Sequence, residues 1–257
     1  MLNLIETGIE TDKPTLLIAH GLYGSARNWG VVAKRLSEDR RVVALDHRNH
    51  GDSPREDSQS YADMAADIAE VITHFGAPVD LLGHSMGGKA SMVTAIEHPE
   101  LLRSLIVADI APVAYSHSQV QFIDAMRAVD LNRVEKRSDA LAMLERAGVE
   151  DPTLRSFFTQ SLDLKQKRWR LNLDVLERDM PGILGFPDLD GQFDGPTLFL
   201  SGAQSDYVTD AHRPAIKTLF PKARFARING AGHWLHAEKP AEFIASVRHW
   251  LHRIDAA

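Results

Sequence analysis

The chain of 257 residues has no cysteine, so disulfides and thiolate metal sites are excluded. It has no basic excess either: 29 Lys and Arg stand against 35 Asp and Glu, a formal net charge of −6. Binding a phosphate backbone needs a basic footprint, so nucleic acid is not an expected partner. Long apolar runs are missing as well. The longest, such as residues 15–19 and 105–108, are far shorter than the ~20 residues that cross a bilayer. The start, Met1-Leu2-Asn3-Leu4-Ile5-Glu6, lacks the basic flank and apolar centre of a signal peptide. No repeat and no low-complexity segment is present. The expectation is a cytoplasmic protein that does not enter membranes.

The apolar residues fall in short runs with sharp stops. Residues 15–19 end at Gly21, 41–45 at Asp46, 79–82 at Gly83 and 105–108 at Asp109. Continuous short runs of this kind suit strands buried on both faces. Between the second and third, Ser60 and Asp63 resemble a capping box, with Asp for the usual Glu. Tyr61, Met64, Ile68, Ile72 and Phe75 then repeat at helical spacing up to Gly76. Strands separated by helices imply parallel pairing through right-handed crossovers. From about residue 110 to 195 helical patterns replace the alternation, at 120–129, 139–147, 152–162 and 168–180. Strand patterns return at 196–201 and 224–228, and a last helix covers 240–254. The expected architecture is α/β: a mostly parallel central sheet flanked by helices. Its core domain comprises 1–112 and 196–257, and a helical cap or lid comprises 113–195.

Gly83-His84-Ser85-Met86-Gly87 matches G-x-S-x-G. A sharp strand-to-helix turn strains the serine and leaves no room for side chains at the flanking positions, hence glycine. The turn exposes the Ser85 hydroxyl at a helix start, and the Met86 amide faces a developing oxyanion. His20-Gly21-Leu22-Tyr23-Gly24-Ser25 follows the first expected strand and offers a second amide, that of Leu22. His233, within Gly230-Ala231-Gly232-His233-Trp234, follows the last strand and is a candidate general base. Two carboxylates at strand ends could orient it, Asp109 and Asp206. Residue chemistry alone leaves both open.

Other polar clusters have bland readings. The loop Asp46-His47-Arg48-Asn49-His50-Gly51-Asp52-Ser53-Pro54 reads as hydrogen-bonded structure, since nothing in it fixes a metal-ligand geometry. His236 lies three residues after His233 without an evident third ligand. The run Lys165-Gln166-Lys167-Arg168-Trp169-Arg170 reads as a solvated helix face, with contact to an anionic substrate group as its functional alternative.

The combination of His20-Gly21, Asp46-x-Arg48-Asn49-His50-Gly51-x-Ser53-Pro54, Gly83-His84-Ser85-Met86-Gly87-Gly88, Asp109-Ile110-Ala111-Pro112 and Gly232-His233-Trp234-x-His236-Ala237-Glu238-x-Pro240 resembles the bacterial YbfF-type esterases of the α/β-hydrolase superfamily. The resemblance covers essentially the whole chain, least specifically the cap. It implies an eight-stranded-type sheet with a helical cap inserted after the sixth strand, and the chain order Ser, acid, His. It implies hydrolysis of small-molecule esters or acyl thioesters, including acyl-CoA-like ones, without cofactor or metal. It places the triad acid after the sixth strand rather than the seventh, at Asp109, with Asp206 in reserve. By the same analogy Trp234 lines the acyl pocket, and Tyr23 and His84 join it as substrate-binding residues. A carbon–carbon bond hydrolase and a cofactor-free perhydrolase use the same triad. A ligand-binding protein on a hydrolase scaffold is the alternative outside enzymes.

Overall fold

In the computed structural model, which describes residues 1–76 and 78–256, the apolar runs become strands. In chain order these begin β1 (Leu4–Thr7), β2 (Leu16–Ala19), β3 (Val42–Leu45), β4 (Val79–His84) and β5 (Leu102–Ala108). A two-residue hairpin follows, β6 (Leu162–Asp163) with β7 (Arg168–Trp169), and then β8 (Thr197–Gly202) and β9 (Ala223–Ile228). All except the hairpin form one sheet in the order β1-β3-β2-β4-β5-β8-β9. Strands β2, β3 and β4 are buried at every residue. Because successive side chains point to opposite faces, Leu16 and Ile18 enter one core while Leu17 and Ala19 enter the other.

Within this sheet six strands pair in parallel, and among the described residues only β1 of the sheet is antiparallel, Leu4 lying opposite Leu45. The sheet therefore has seven strands where the resemblance implies eight, and the strand leading into the helical insert is fifth in this chain. No sequence pattern announces β1. It sits at an edge with mixed burial, so its residues carry no continuous apolar run.

Helices α1 (Gly30–Leu36), α2 (Tyr61–Phe75) and α3 (Met86–Glu97) connect the first strands. Helix α2 starts where expected: the Ser60 side chain accepts from the Asp63 amide at 3.1 Å, and Gly76 ends it at φ 80°. Helix α3 is buried from Met86 to Ile96, which accounts for its small and apolar residues on every side. The insert holds α4 (Val120–Arg127), α5 (Arg137–Arg146), α6 (Pro152–Gln160), the hairpin, α7 (Leu173–Arg178) and α8 (Met180–Leu184). Helices α9 (Arg213–Leu219), α10 (Leu235–Glu238) and α11 (Pro240–Asp255) complete the chain.

The expected helix over 168–180 is a correction. Residues Arg168–Trp169 pair as β7, and helix begins only at Leu173. The backbone here is committed elsewhere: the Arg170 amide donates to Ser161 O at 2.7 Å and the Asn172 amide to Asn49 O at 2.9 Å. The basic run 165–170 thus lies on a hairpin turn, with Lys167 at φ 50°, and not on a helix face.

One sheet face is covered by α1 and α11, with Val32, Phe243 and Val247 over Ile18, Leu82 and Ile106. The other lies under α2, α3 and α9, with Ile68, Val93 and Ile216 in the same core as Leu81, Val107 and Phe199. That second core continues without a break into the insert through Ile123, Phe158 and Leu176. The C-terminal ends of β2, β4, β5, β8 and β9 converge on one edge, the usual place for a site in a sheet of this topology. The opposite edge is pinned by charge: Arg40 meets Asp255 at 2.6 Å, and Arg103 meets Asp80 at 2.5 Å.

Candidate functional site

Ser85 sits between β4 and α3 at φ 52°, ψ −121°. A non-glycine residue takes such a conformation only when its surroundings enforce it. The enforcement comes from packing of the turn. A Cβ on Gly83 would lie 2.3 Å from Gly87 O, and one on Gly87 would lie 2.3 Å from His20 O. Only hydrogen fits at either place. The Ser85 amide is also held, donating to Ala108 O at 3.1 Å.

The turn brings Ser85 Oγ to 3.1 Å from His233 Nε2. His233 Nδ1 lies 2.8 Å from Asp109 Oδ2. Asp109 has no exposed surface and itself takes a positive φ of 51°. Its Oδ1 accepts from the Gly202 amide at 3.0 Å, and its Oδ2 accepts from Ser205 Oγ at 2.5 Å. With the carboxylate accepting at Nδ1, His233 presents a bare Nε2 to the serine. Asp206, the reserve acid, is exposed and is not a partner of His233. Its neighbour Ser205, one residue earlier in the loop after β8, is the one that reaches Asp109.

Leu22 and Met86 line the same cavity as Ser85. The Met86 amide opens α3, where first-turn amides have no acceptor within the helix. Leu22 lies in a turn closed by the Gly24 amide on Gly21 O at 3.0 Å. Two buried histidines shape this turn. His20 Nε2 accepts from the His47 amide at 3.1 Å while Nδ1 donates to Gly21 O at 2.8 Å. His50 Nε2 accepts from the Tyr23 amide at 3.3 Å while Nδ1 donates to Arg48 O at 2.9 Å. Burial keeps both neutral, lowering His20 and taking His50 down to about 3. Asp46 ties the same region together. Its carboxylate accepts from the Ala26 amide at 2.7 Å, Asn3 Nδ2 at 2.7 Å and the Asp52 amide at 2.9 Å. The side chains of Asp46 and His50 in the His- and Asp-rich loop are therefore engaged mainly by backbone groups, while Arg48 pairs with Asp67 and Asp52 with Arg27 and Arg170. Among the described residues no cluster of three such side chains is arranged to hold a metal ion.

His84 lines the cavity, and its Nε2 donates to the His233 carbonyl at 2.9 Å. Its polar end is thus spent on the His233 backbone. Trp234 and Tyr23 also line the cavity, and the Tyr23 hydroxyl donates to Gln119 O at 2.9 Å. The basic run 165–170 does not border it.

The cavity measures about 360 Å³. Its roof comes from the insert, chiefly Phe122, Leu154, Phe157, Phe158, Ile183 and Leu184. Among the lining residues that escaped the sequence reading, three stand close to His233 or brace the wall beside it. Tyr207 stacks on the His233 ring at 4.0 Å with 20° between planes. Tyr115 donates its hydroxyl to Tyr207 O at 2.6 Å and accepts from the Ala111 amide at 2.9 Å. Lys89, 1% exposed, donates to Leu184 O at 2.9 Å and Gly185 O at 2.5 Å and lies 4.8 Å from the Tyr115 ring centre. Burial lowers its pKa to about 7. The available signal was Lys89 itself, a lysine in an otherwise small and apolar helix.

Residues 14–240 match the family model described as alpha/beta hydrolase fold. The chain is 38% identical over 249 residues to the mouse sn-1-specific diacylglycerol lipase ABHD11, covering 93% of this chain and 81% of that protein. It is 34% identical over 242 residues to esterase YbfF of Escherichia coli strain K12, covering 92% of each. Among solved structures, a marine microorganism esterase superposes with a TM-score of 0.90 at 37% identity, over 97% of this chain and 100% of that one.

Proposed function

The chain belongs to the alpha/beta hydrolase fold family, and on that premise we propose that it is a serine carboxylic ester hydrolase acting through Ser85, His233 and Asp109. The observation that carries this reading is the unbroken series from Ser85 Oγ through the His233 ring to Asp109, at 3.1 and 2.8 Å. The esterase and lipase names of the relatives support ester substrates.

In the proposed reaction Ser85 Oγ attacks the ester carbonyl carbon as its proton passes to His233 Nε2. The carbonyl electrons move to oxygen, and the amides of Leu22 and Met86 donate to that oxyanion. Donors of this kind each contribute about 3–4 kcal/mol to the barrier reduction. Collapse breaks the bond to the alcohol, which leaves with the proton from His233. Water then gives a proton to His233 Nε2 as its oxygen attacks the acyl-enzyme carbonyl carbon, and collapse breaks the bond to Ser85 Oγ, which takes that proton back from His233 as the carboxylic acid leaves. Asp109 fixes the tautomer and orientation of His233 and stabilises its imidazolium.

Residues 113–195 act in this reading as a lid over the acyl group. The apolar roof and a cavity of about 360 Å³ lie within the ~300–1,000 Å³ of small-ligand pockets. They support short to medium acyl chains, carried as oxygen esters or as thioesters. Single methylenes are distinguished by only about 1–3 kcal/mol in such a pocket, so a broad chain-length profile is expected.

A p-nitrophenyl ester series from acetate to palmitate tests the reading. Wild type is expected to turn over the shorter members, and Ser85→Ala is expected to lose ~10⁴-fold or more. If wild type hydrolyses no member, the esterase reading is overturned and a binding protein on this scaffold takes its place.

A further inference from the structure

The face of the base is occupied by a residue with no part in the steps above. The Tyr207 ring lies nearly parallel to the His233 imidazole, 4.0 Å between centres. Four ties hold it there. Its amide donates to Ser205 Oγ at 3.3 Å, the hydroxyl that also grips Asp109. Its carbonyl accepts from Tyr115 OH at 2.6 Å. Its own hydroxyl lies 2.6 Å from His117 Nε2, and its ring packs on His233. So many restraints on one loop residue, two on its backbone and two on its side chain, are out of proportion to wall-lining.

We propose that Tyr207 is a positioning residue for the base: its ring face stabilises the imidazolium form of His233 and bars the ring from turning away from Ser85. This rests on the esterase reading, in which His233 becomes cationic as the tetrahedral species forms. An aromatic face attracts a cation through its quadrupole, and more strongly where water is excluded. Burial, with Asp206 and Asp109 adding to it, pushes the Tyr207 phenol up to about 12, so the ring remains neutral through the working range and adds no charge of its own.

The groups around His233 make the effect separable. Asp109 holds one side, and Glu238 accepts from the Gly232 and Trp234 amides on its own loop. His84 and His236 are held neutral by burial, His236 down to about 3. Asp206, Tyr115 and His117 lie around Tyr207 itself. All of these residues remain when only the Tyr207 side chain is changed, and the hydroxyl's contact with His117 is lost equally in the Leu and Phe variants, so their difference reports the ring face alone.

The consequence is a specific pattern in the pH profile of kcat/KM. The ring favours protonated His233 in the free enzyme and in the transition state alike. Without it, the acid limb moves to lower pH and the plateau falls by the same logarithmic amount, so the two profiles converge on the acid side. A purely structural defect lowers the profile at every pH and leaves the limb in place.

The test compares Tyr207→Leu and Tyr207→Phe with wild type on p-nitrophenyl butyrate from pH 4.5 to 9. Active-site concentration is set by fluorophosphonate titration, which corrects for any unfolded fraction. For Tyr207→Leu the expected result is a plateau lower by about three- to tenfold, with the limb shifted down by about half to one pH unit. Tyr207→Phe keeps the face and is expected to return the limb to its wild-type position. An unmoved limb in Tyr207→Leu overturns the proposal, as does a Tyr207→Phe that behaves like Tyr207→Leu. Ser85-dependent turnover by wild type is read in the same assay: its absence sinks the esterase reading and this inference together, whereas turnover with an unmoved limb sinks this inference alone.

Discussion

Asp109 and Asp206 show what one residue's surroundings decide. Both follow strand ends, and both fall between Ser85 and His233, so residue type and position do not separate them. The family resemblance favours Asp109, and the structure supplies the physical difference. Asp109 turns through φ 51°, buries its carboxylate and accepts from Gly202, Ser205 and His233. Asp206 is exposed. The serine and the histidine were legible because glycine marks them: the elbow excludes any side chain at positions 83 and 87. Tyr207 and Ser205 were not, because a tyrosine or serine in a loop carries no signal until the fold brings it to His233 and Asp109. An amide at position 109 would offer the Nδ1 side of His233 the wrong hydrogen-bond partner. Asp109→Asn is therefore expected to lose ~10⁴-fold in kcat with its thermal midpoint retained, while Asp206→Asn is expected to change kcat little. Steady-state kinetics on both variants checks this, and a crippled Asp206→Asn would reassign the acid.

At the scale of elements, the central strands were legible as apolar runs ended by Gly or Asp, and α2 by its cap and spacing. The misreading at 168–180 has a tertiary cause. Trp169, Leu171, Val175, Leu176 and Met180 are all buried, yet the first faces the core from the hairpin and the second from the extended stretch after it, where the Arg170 and Asn172 amides go to Ser161 and Asn49. Helix α3 joins the Ser85 turn to the insert through Lys89, whose ammonium meets the carbonyls at the end of α8, where a cation is favourable. Lys89→Met keeps the length and removes the donors. Relief of the buried charge offsets much of the global cost, so the loss falls locally on α8. Amide hydrogen exchange over residues 180–186 is expected to speed up by about tenfold or more, with a higher KM for longer acyl chains than for acetate. Exchange at the wild-type rate would show that Lys89 does not hold this wall.

Over the whole molecule the two ends of the sheet have separate tasks. One edge gathers Ser85, Asp109, His233 and the Leu22 turn beneath the insert. The other binds the last helix to the sheet through Arg40, Arg103, Asp80 and Asp255. The insert shares its core with the sheet's covering helices, which a division into core and cap drawn along the sequence does not convey. Among the described residues no helix is long and apolar enough to cross a membrane. One reactive centre per chain is the central claim, and stoichiometric labelling tests it most directly. A p-nitrophenyl phosphonate is expected to release one p-nitrophenolate per chain, to abolish ester hydrolysis in proportion, and to leave its adduct on the peptide bearing Ser85. Hydrolysis that survives full labelling, or an adduct on any other residue, would contradict the account.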